Sequence, residues 1–195
     1  MANGGSAQLA IQQFNNSTVN CFFSTSTEMK QTHYQSPNYQ LPFFAMNQFQ
    51  YQFTVNAPLT TVAQFHKDTT ILKKLSPPPI FVQIHAFEPL AEGSKADFTM
   101  WFGPLPLRWL AVHSDVDPLH GFTDTQQTGP LAFWQHSHRF TAVDEQTTLV
   151  TESIQYRHDR GRRGLLSRLL FNRPGLFLLF SYRKWRTRWE LRKKK

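Results

Sequence analysis

The residues best suited to chemistry in this sequence lie in one short segment, where two histidines are separated by a single serine. Side chains in an extended strand alternate between its two faces, so one face of this segment carries Trp134, His136, His138 and Phe140. The intervening side chains are all polar and should meet water. We therefore expect the two imidazoles to point inward, among large aromatic rings.

Three interpretations of the histidine pair remain open. The imidazoles could be structural, neutral and hydrogen-bonded to neighbouring strands or to Glu152, which alternates inward on the next strand. They could instead bind the polar end of a ligand whose body fills an aromatic cavity. The third interpretation is a metal site, because His-x-His can chelate zinc or iron with His113 or Glu152 as a further ligand. The spacing does not require a metal, so we expect neither a metal nor a cofactor.

Other chemistry-bearing residues give weaker signals. Trp109 is predicted to form part of a core or cavity wall. Asp124 follows Phe122 in a predicted strand and is interpreted as a turn or strand-end carboxylate that accepts backbone amides. Cys21 is the single cysteine, which excludes an internal disulfide framework and a cysteine-based zinc site. No catalytic residue is predicted.

The framework that must position these residues follows from periodicity and turn chemistry. Strict alternation over 49–55 predicts a half-buried strand, and 59–75 predicts one or two short helices that end at Ser76-Pro77-Pro78-Pro79. Six more strands, separated by turn residues, are predicted at 80–87, 96–102, 107–116, 121–127, 131–142 and 147–156. A short helix over 164–171 and a long one over 175–191 follow. The order predicts an α+β fold, a curved antiparallel sheet of about seven strands wrapped on a long C-terminal helix.

One segment resembles a known family. Gly121-Phe122-Thr123-Asp124, followed by Gly129-Pro130-Leu131-Ala132-Phe133-Trp134-Gln135-His136-Ser137-His138-Arg139-Phe140, is similar to the F-x-D…GP-x-x-x-W-x-H-x-H-x-F segment of a bacterial branch of the SRPBCC ligand-binding proteins. The resemblance covers residues 49 to about 190. It implies the helix-grip fold of START-like and Bet v 1-like proteins, with a cavity between the sheet and the last helix. Relatives include lipid carriers, polyketide cyclases and hormone receptors, so the resemblance implies no single reaction.

Composition sets the domain limits. Residues 1–45 are rich in Gln, Asn, Ser and Thr and are predicted to be a flexible extension, residues 46–192 the START-like ligand-binding domain, and residues 193–195 a basic tail. Aromatic residues make up 14% of the chain, which favours a core or cavity lined with rings. Neither a signal sequence nor an apolar run of membrane-spanning length is found, so we expect a cytoplasmic protein.

Positive charge is concentrated near the C-terminus. Of the 21 Lys and Arg residues, 14 lie in residues 157–195, against Asp159 and Glu190. In the last predicted helix, a stripe of Leu178, Tyr182, Trp185 and Trp189 is expected to form the apolar face toward the sheet. The basic residues are interpreted either as the solvated side of that helix or as part of a peripheral surface for anionic membranes, made of Arg183, Lys184, Trp185, Arg186, Arg188 and Trp189. Nucleic acid is a less suitable partner, because no known RNA-binding pattern is present.

These observations support three functional hypotheses. The leading hypothesis is non-catalytic binding of a hydrophobic small molecule or lipid, with transfer of that molecule as an extension of it. The residues expected to contact the ligand are Trp134, His136, His138, Phe140, Trp109 and Glu152. The second is an enzyme of the cyclase or dehydrase type that uses the same histidines, with Glu152, for proton transfer. The third is a module that docks on a membrane or a partner through the basic helix. The sequence does not identify the ligand.

Overall fold

The computed structural model of the protein describes residues 46–68 and 70–192. These residues form seven strands and four helices: β1 (Asn47–Val55), α1 (Leu59–Lys67), α2 (Ile71–Leu75), β2 (Ile80–Phe87), β3 (Lys95–Phe102), β4 (Leu105–Asp117), β5 (Gly121–Thr128), β6 (Phe133–Asp144), β7 (Thr147–Arg157), α3 (Gly161–Leu170) and α4 (Arg173–Arg192). The predicted extension, residues 1–45, and the predicted tail, residues 193–195, lie outside the described residues.

The strands form one antiparallel sheet in the order β1-β7-β6-β5-β4-β3-β2. Strands β2 to β7 are a meander, and β1 returns to pair with β7 at one edge. The prediction of a curved, seven-stranded antiparallel sheet with a long C-terminal helix is confirmed.

Local sequence explains where the elements begin and end. Pro58, in an extended conformation, precedes α1, and three prolines follow α2, where they cannot continue a helix. The β3–β4 turn contains Gly103 at φ 60°, a backbone conformation that glycine adopts without steric cost. These breaks keep the connections short, so sequence neighbours in the meander pair with one another.

Buried hydrophobic residues form two clusters. The packed cluster lies around α1 and contains Phe53, Val55, Ala57, Val62, Ala63, Phe65, Leu75, Phe140, Val150 and Leu191. The cavity cluster contains Phe49, Val82, Ala96, Phe98, Leu107, Trp109, Ala111, Leu131, Trp134, Ile154, Tyr156, Phe171, Leu176 and Phe180. Helix α4 contributes to both clusters and so spans the length of the core.

The prediction of which residues of α4 form its apolar face toward the sheet is wrong. Leu178, Trp185 and Trp189 are 69%, 53% and 44% exposed, whereas the buried residues are Leu176, Phe180, Thr187 and Leu191. At about 100° per residue, Leu178 lies on the side of the helix opposite Leu176. The first half of α4 is apolar on all sides, so hydrophobic spacing alone could not select the buried stripe.

Polar contacts fix α4 against its neighbours. The Tyr51 hydroxyl lies 3.1 Å from Ser181 Oγ, and Arg188 Nε donates to the Thr54 carbonyl at 2.9 Å, so both contacts join α4 to β1. No described helix is long and apolar enough to cross a membrane.

Candidate ligand-binding site

Three adjacent strands bring together two imidazoles and two carboxylates, the His–carboxylate cluster of Asp124, His136, His138 and Glu152. Asp124 on β5 pairs directly with His136 on β6, and His138 pairs with Glu152 on β7. All four side chains lie on the inner face of the sheet, and Glu152 is 3% exposed. Gly121 allows β5 to approach here, because a side chain at this position would overlap the His138 carbonyl.

Each imidazole in the cluster lies between the two carboxylates. His136 places Nε2 2.7 Å from Glu152 Oε2 and Nδ1 3.5 Å from Asp124 Oδ2. His138 places Nε2 3.1 Å from Asp124 Oδ2 and Nδ1 2.8 Å from Glu152 Oε2, although the latter contact is off the line of a ring N–H hydrogen bond. The two rings are 4.0 Å apart between centroids. The four groups therefore form a closed ring of contacts.

Asp124 is an interior residue of β5, and its Oδ2 contacts His138. The interpretation of Asp124 as a turn or strand-end carboxylate is therefore wrong. The turn lies at residues 118–120, before β5 begins at Gly121, so Asp124 is three residues inside the strand.

The electrostatics of the cluster favour a positive charge on one of the two imidazoles, that of His138. Burial opposes protonation of His138, but Glu152 and Asp124 outweigh it and raise the pKa of His138 to about 9. Burial and the neighbouring His138 charge lower the pKa of His136. Burial also opposes ionisation of both carboxyls, yet the imidazoles hold the pKa of Asp124 below its usual value and that of Glu152 well below.

A cavity of about 300 Å³ lies between the sheet and helices α2 and α4. Its walls are mostly apolar and aromatic, and they include Ile71, Leu72, Leu75, Ala96, Phe98, Met100, Trp109, Ala111, Phe122, Trp134, Phe171, Leu176 and Leu179. Asp124, His136 and His138 form a polar section of this wall. Leu178 also lines the cavity while being largely exposed, which places the mouth of the cavity beside it.

Arg183 on α4 also lines the cavity. Its Nε is buried, and among residues 46–68 and 70–192 its guanidinium forms no hydrogen bond or ion pair. The guanidinium carbon lies over the Phe180 ring, 4.9 Å from its centroid. Burial lowers the pKa of Arg183, and this effect is partly offset by Glu152 and Asp124. Sequence reasoning assigned this residue to an outer surface, whereas the spacing Leu176, Phe180, Arg183, Thr187, Leu191 would have placed it on the inner one.

Two further histidines lie near the cluster. His66 on α1 contacts the Phe140 ring at 4.7 Å, its Nδ1 lies 2.8 Å from the Val62 carbonyl oxygen, and burial lowers its pKa to about 4. Sequence reasoning missed it, because a histidine at the end of a short helix carries no distinguishing pattern. His113, considered as a metal ligand, has Nδ1 3.0 Å from the Ser94 hydroxyl and belongs to a separate contact.

The structure separates the predicted ligand contacts into two groups. Trp109, Trp134, His136 and His138 line the cavity. Phe140 is instead in the packed cluster, and Glu152 lies behind the imidazoles, so these two do not form its wall.

The predicted membrane-facing set is also divided. Trp185 and Trp189 are exposed. Arg183 faces the cavity, Arg186 pairs with Glu190 at 2.8 Å, and Arg188 is bonded to the backbone of β1. Arg183 and Arg186 therefore contribute little to an outer basic surface, whereas Lys184 and Arg188 lie beside Trp185 and Trp189 on the outer side of the helix.

Comparison with known proteins concerns the fold. No protein-family model matches the sequence, and no curated protein matches it. Among solved structures, the Zhui aromatase/cyclase from a Streptomyces species is similar at a TM-score of 0.62 and 15% identity, over 77% of this chain and 96% of that one. Norcoclaurine synthase from Thalictrum flavum, in complex with dopamine and hydroxybenzaldehyde, is similar at 0.59 and 12%, over 77% and 89%. This chain therefore has the helix-grip fold that the resemblance implied.

Proposed function

We propose that the protein binds one small, mainly apolar molecule in the cavity, with the polar end of the molecule against Asp124, His136 and His138. The observation that carries this proposal is the composition of the wall, which is mostly aromatic and aliphatic, with Asp124, His136 and His138 as its polar section. The remaining polar and charged lining residues are His66, Lys67, Asp68, Ser76, His113 and Arg183. Ligand sites typically combine such apolar walls with a few polar groups that fix orientation. A cavity of about 300 Å³ is at the lower end of the usual range of ~300–1,000 Å³, which favours a compact molecule over a long lipid.

Two further observations support the proposal. The similar norcoclaurine synthase structure holds dopamine and hydroxybenzaldehyde, which are small aromatic molecules with polar groups. The segment from Gly121 to Phe140 supports membership of the bacterial ligand-binding branch of the SRPBCC proteins. A small aromatic or alicyclic molecule is therefore the ligand class we propose.

The test is native mass spectrometry of freshly purified protein, combined with titration of an apolar fluorescent probe, anilinonaphthalene sulfonate. We expect a co-purifying species or the probe to bind at one molecule per chain. Ala111 lines the cavity, so Ala111→Leu should fill it and weaken binding at least tenfold. Ala63→Leu, in the packed cluster, is the matched control. Equal binding by wild type and Ala111→Leu would contradict the proposal.

An enzyme of the cyclase or dehydrase type is the second candidate. It is favoured by the contact distances in the cluster, because a proton-transfer group must lie within hydrogen-bond reach of its partner. A His138→Gln variant that still binds the co-purifying molecule but no longer converts it would assign catalysis. Unchanged conversion in that variant would exclude His138 from the chemistry.

Docking on an anionic membrane is a third proposal, supported by the exposed apolar side of α4. Phe177, Leu178, Trp185 and Trp189 are all exposed there, and Leu178 also lines the mouth of the cavity. Rings and aliphatic side chains beside basic residues are typical of helices that lie at a headgroup surface. A molecule could then pass between bilayer and cavity.

Co-sedimentation with phosphatidylserine vesicles and with phosphatidylcholine vesicles tests this docking. We expect salt-sensitive binding to the former, weakened by Leu178→Ser and Trp185→Ser. Val143→Ser removes a comparably exposed apolar side chain from the end of β6, outside α4, and serves as the control. Absent or salt-insensitive binding would contradict membrane docking.

A further inference from the structure

The arrangement of donor atoms in the His–carboxylate cluster is that of a metal site. We propose that Asp124, His136 and His138 bind a divalent transition-metal ion of the Zn²⁺ or Fe²⁺ class, with an open coordination position toward the cavity. This proposal does not require the organic ligand proposed above.

Three donor atoms converge on one point. One oxygen of Asp124 and one nitrogen from each imidazole all lie within 4.8 Å of one another. Asp124 Oδ2 is 3.1 Å from His138 Nε2 and 3.5 Å from His136 Nδ1. Metal–ligand bonds of about 2.0–2.2 Å separate neighbouring ligand atoms by roughly 3–3.5 Å. Small side-chain rotations would therefore place all three atoms around an ion.

Glu152 occupies the position of a carboxylate that orients metal-bound histidines. Its Oε2 lies 2.7 Å from His136 Nε2 and 2.8 Å from His138 Nδ1, which are the nitrogens that face away from Asp124. With N–H groups on that side, both rings would present their lone pairs toward the ion. A carboxylate in this position fixes the tautomer and raises the basicity of the ligand. His138 Nδ1 is close to Glu152 Oε2 but poorly aligned for a hydrogen bond. A small rotation of the ring toward an ion would change this alignment.

The charges of the cluster also suit a divalent ion. Two nearly buried carboxylates require compensating positive charge in an apolar surrounding, and without an ion the cluster supplies it by protonating an imidazole. Arg183 faces the same cavity but forms no ion pair with either carboxylate within the described part of the chain. A divalent ion would match both carboxylates while leaving the imidazoles neutral, as metal binding requires.

The donor set indicates the class of ion. Two imidazole nitrogens and one carboxylate suit zinc or iron(II), whereas Mg²⁺ and Ca²⁺ favour oxygen ligands. Three protein ligands leave at least one position free, which is typical of catalytic rather than structural metal sites. Because all three ligands line the cavity, that position faces the space where a small molecule would lie.

The test uses the full-length protein after treatment with a chelator and no added organic ligand. Equilibrium dialysis against Zn²⁺, Fe²⁺ under anaerobic conditions, and Mg²⁺ should show one Zn²⁺ or Fe²⁺ per chain and no stoichiometric Mg²⁺. Replacement by Co²⁺ should give a visible absorption band that reports nitrogen and oxygen ligands at low coordination number. Wild-type protein without stoichiometric Zn²⁺ or Fe²⁺ would overturn the proposal.

Variants identify the ligands. Asp124→Asn and His138→Gln remove direct ligands and should weaken binding more than about 100-fold, whereas Glu152→Gln should weaken it roughly 10–100-fold, as loss of an orienting partner does. His158→Gln changes a histidine outside the cavity, with Nδ1 3.0 Å from the Ser167 hydroxyl, and should leave binding unchanged. Circular dichroism verifies folding, and Asp124→Asn, which preserves side-chain shape, gives the decisive result where a histidine variant unfolds. Metal binding that survives Asp124→Asn would overturn the assignment.

The metal and organic-ligand proposals can fail separately. Anilinonaphthalene sulfonate binding that persists in chelator-treated protein, together with lost metal binding in Asp124→Asn, supports both. Metal binding without any probe binding supports the metal site alone, and probe binding without metal overturns it.

Discussion

The packed cluster and the cavity cluster share one sheet and one long helix, yet the first is filled by side chains and the second borders a cavity. The packed cluster fills the space between α1 and the sheet, with Val62 and Val150 completely inaccessible to solvent. The cavity cluster lines a cavity of about 300 Å³ with rings that meet edge to face, such as Trp109 and Trp134 at 5.5 Å. His66 lies between the packed cluster and the His–carboxylate cluster, because its ring is 4.7 Å from Phe140 of the former and 6.2 Å from His138 of the latter.

This difference indicates a division of labour within one core. A side chain surrounded on all sides has its full set of dispersion contacts, whereas a side chain at a cavity wall lacks them on one side. Stability should therefore depend more on the packed cluster, and binding more on the cavity cluster.

The largest difference is expected between two phenylalanines. Phe140→Ala in the packed cluster should lower the free energy of unfolding by about 3–5 kcal/mol. Phe98→Ala at the cavity wall should cost at least ~1 kcal/mol less, because Phe98 already borders empty space. Urea unfolding followed by circular dichroism measures both. Equal losses would show that the two clusters are energetically alike.

Acid should lower the free energy of unfolding through His66, which lies between the two clusters. The unfolded chain protonates this histidine below its ordinary pKa of 6.5, but the folded chain does so only below about 4. The stability that neutral His66 contributes is fully present above pH 6.5. As the pH falls from 6.5 to about 4, the free energy of unfolding should decrease by at most on the order of 3 kcal/mol. Glu152 opposes the lowering of the pKa, while His138 and Arg183 add to it.

The control for this prediction is His66→Gln. Its unfolding free energy should decrease less steeply than that of wild type between pH 6.5 and 4, as measured by urea titrations at each pH. Parallel curves would show that His66 is not held neutral by burial.

Added volume should be tolerated differently at the two clusters. Ala63→Leu in the packed cluster should cost about 1–3 kcal/mol by overpacking. Ala111→Leu extends into the cavity and should change the free energy of unfolding by less than ~1 kcal/mol. Thermal and urea unfolding of the two variants provide the comparison. A large loss in Ala111→Leu would mean that the cavity is too narrow for a ligand.

The smallest effect is expected on the outer side of α4. Leu178→Ala should change stability by no more than ~0.5 kcal/mol, because this side chain is mostly exposed. Leu176→Ala, two residues earlier and buried, should cost about 2–5 kcal/mol. The same urea titration measures both, and a large loss in Leu178→Ala would indicate that this side is covered.

The elements of the fold were predictable, because alternation and turn residues are local signals. The strand containing His136 illustrates this: strict alternation placed both histidines on the inner face, and both are buried. Strand ends differ from the prediction by one or two residues, for example β4, which begins at Leu105. Such ends depend on hydrogen-bond partners that a single sequence does not specify.

The composition of the site was less predictable, because it depends on register between distant segments. Nothing local indicates that Asp124 lies opposite His136, or that Arg183 points inward among apolar residues. Glu152 was correctly expected to face inward, but its position behind the imidazoles follows from the pairing of β6 with β7. Hydrophobic spacing in α4 fitted two opposite stripes, and only tertiary packing distinguishes them.

The five tryptophans of the chain provide an optical consequence of this architecture. Trp109 and Trp134 line the cavity, whereas Trp185 and Trp189 stack on each other, 6.0 Å apart, on the outer side of α4. A molecule entering the cavity should change the emission of the first pair, while a surface covering α4 should shift the second pair to shorter wavelength and shield it from a soluble quencher. Intrinsic fluorescence can therefore distinguish what the protein encloses from what it lies against, without an added label.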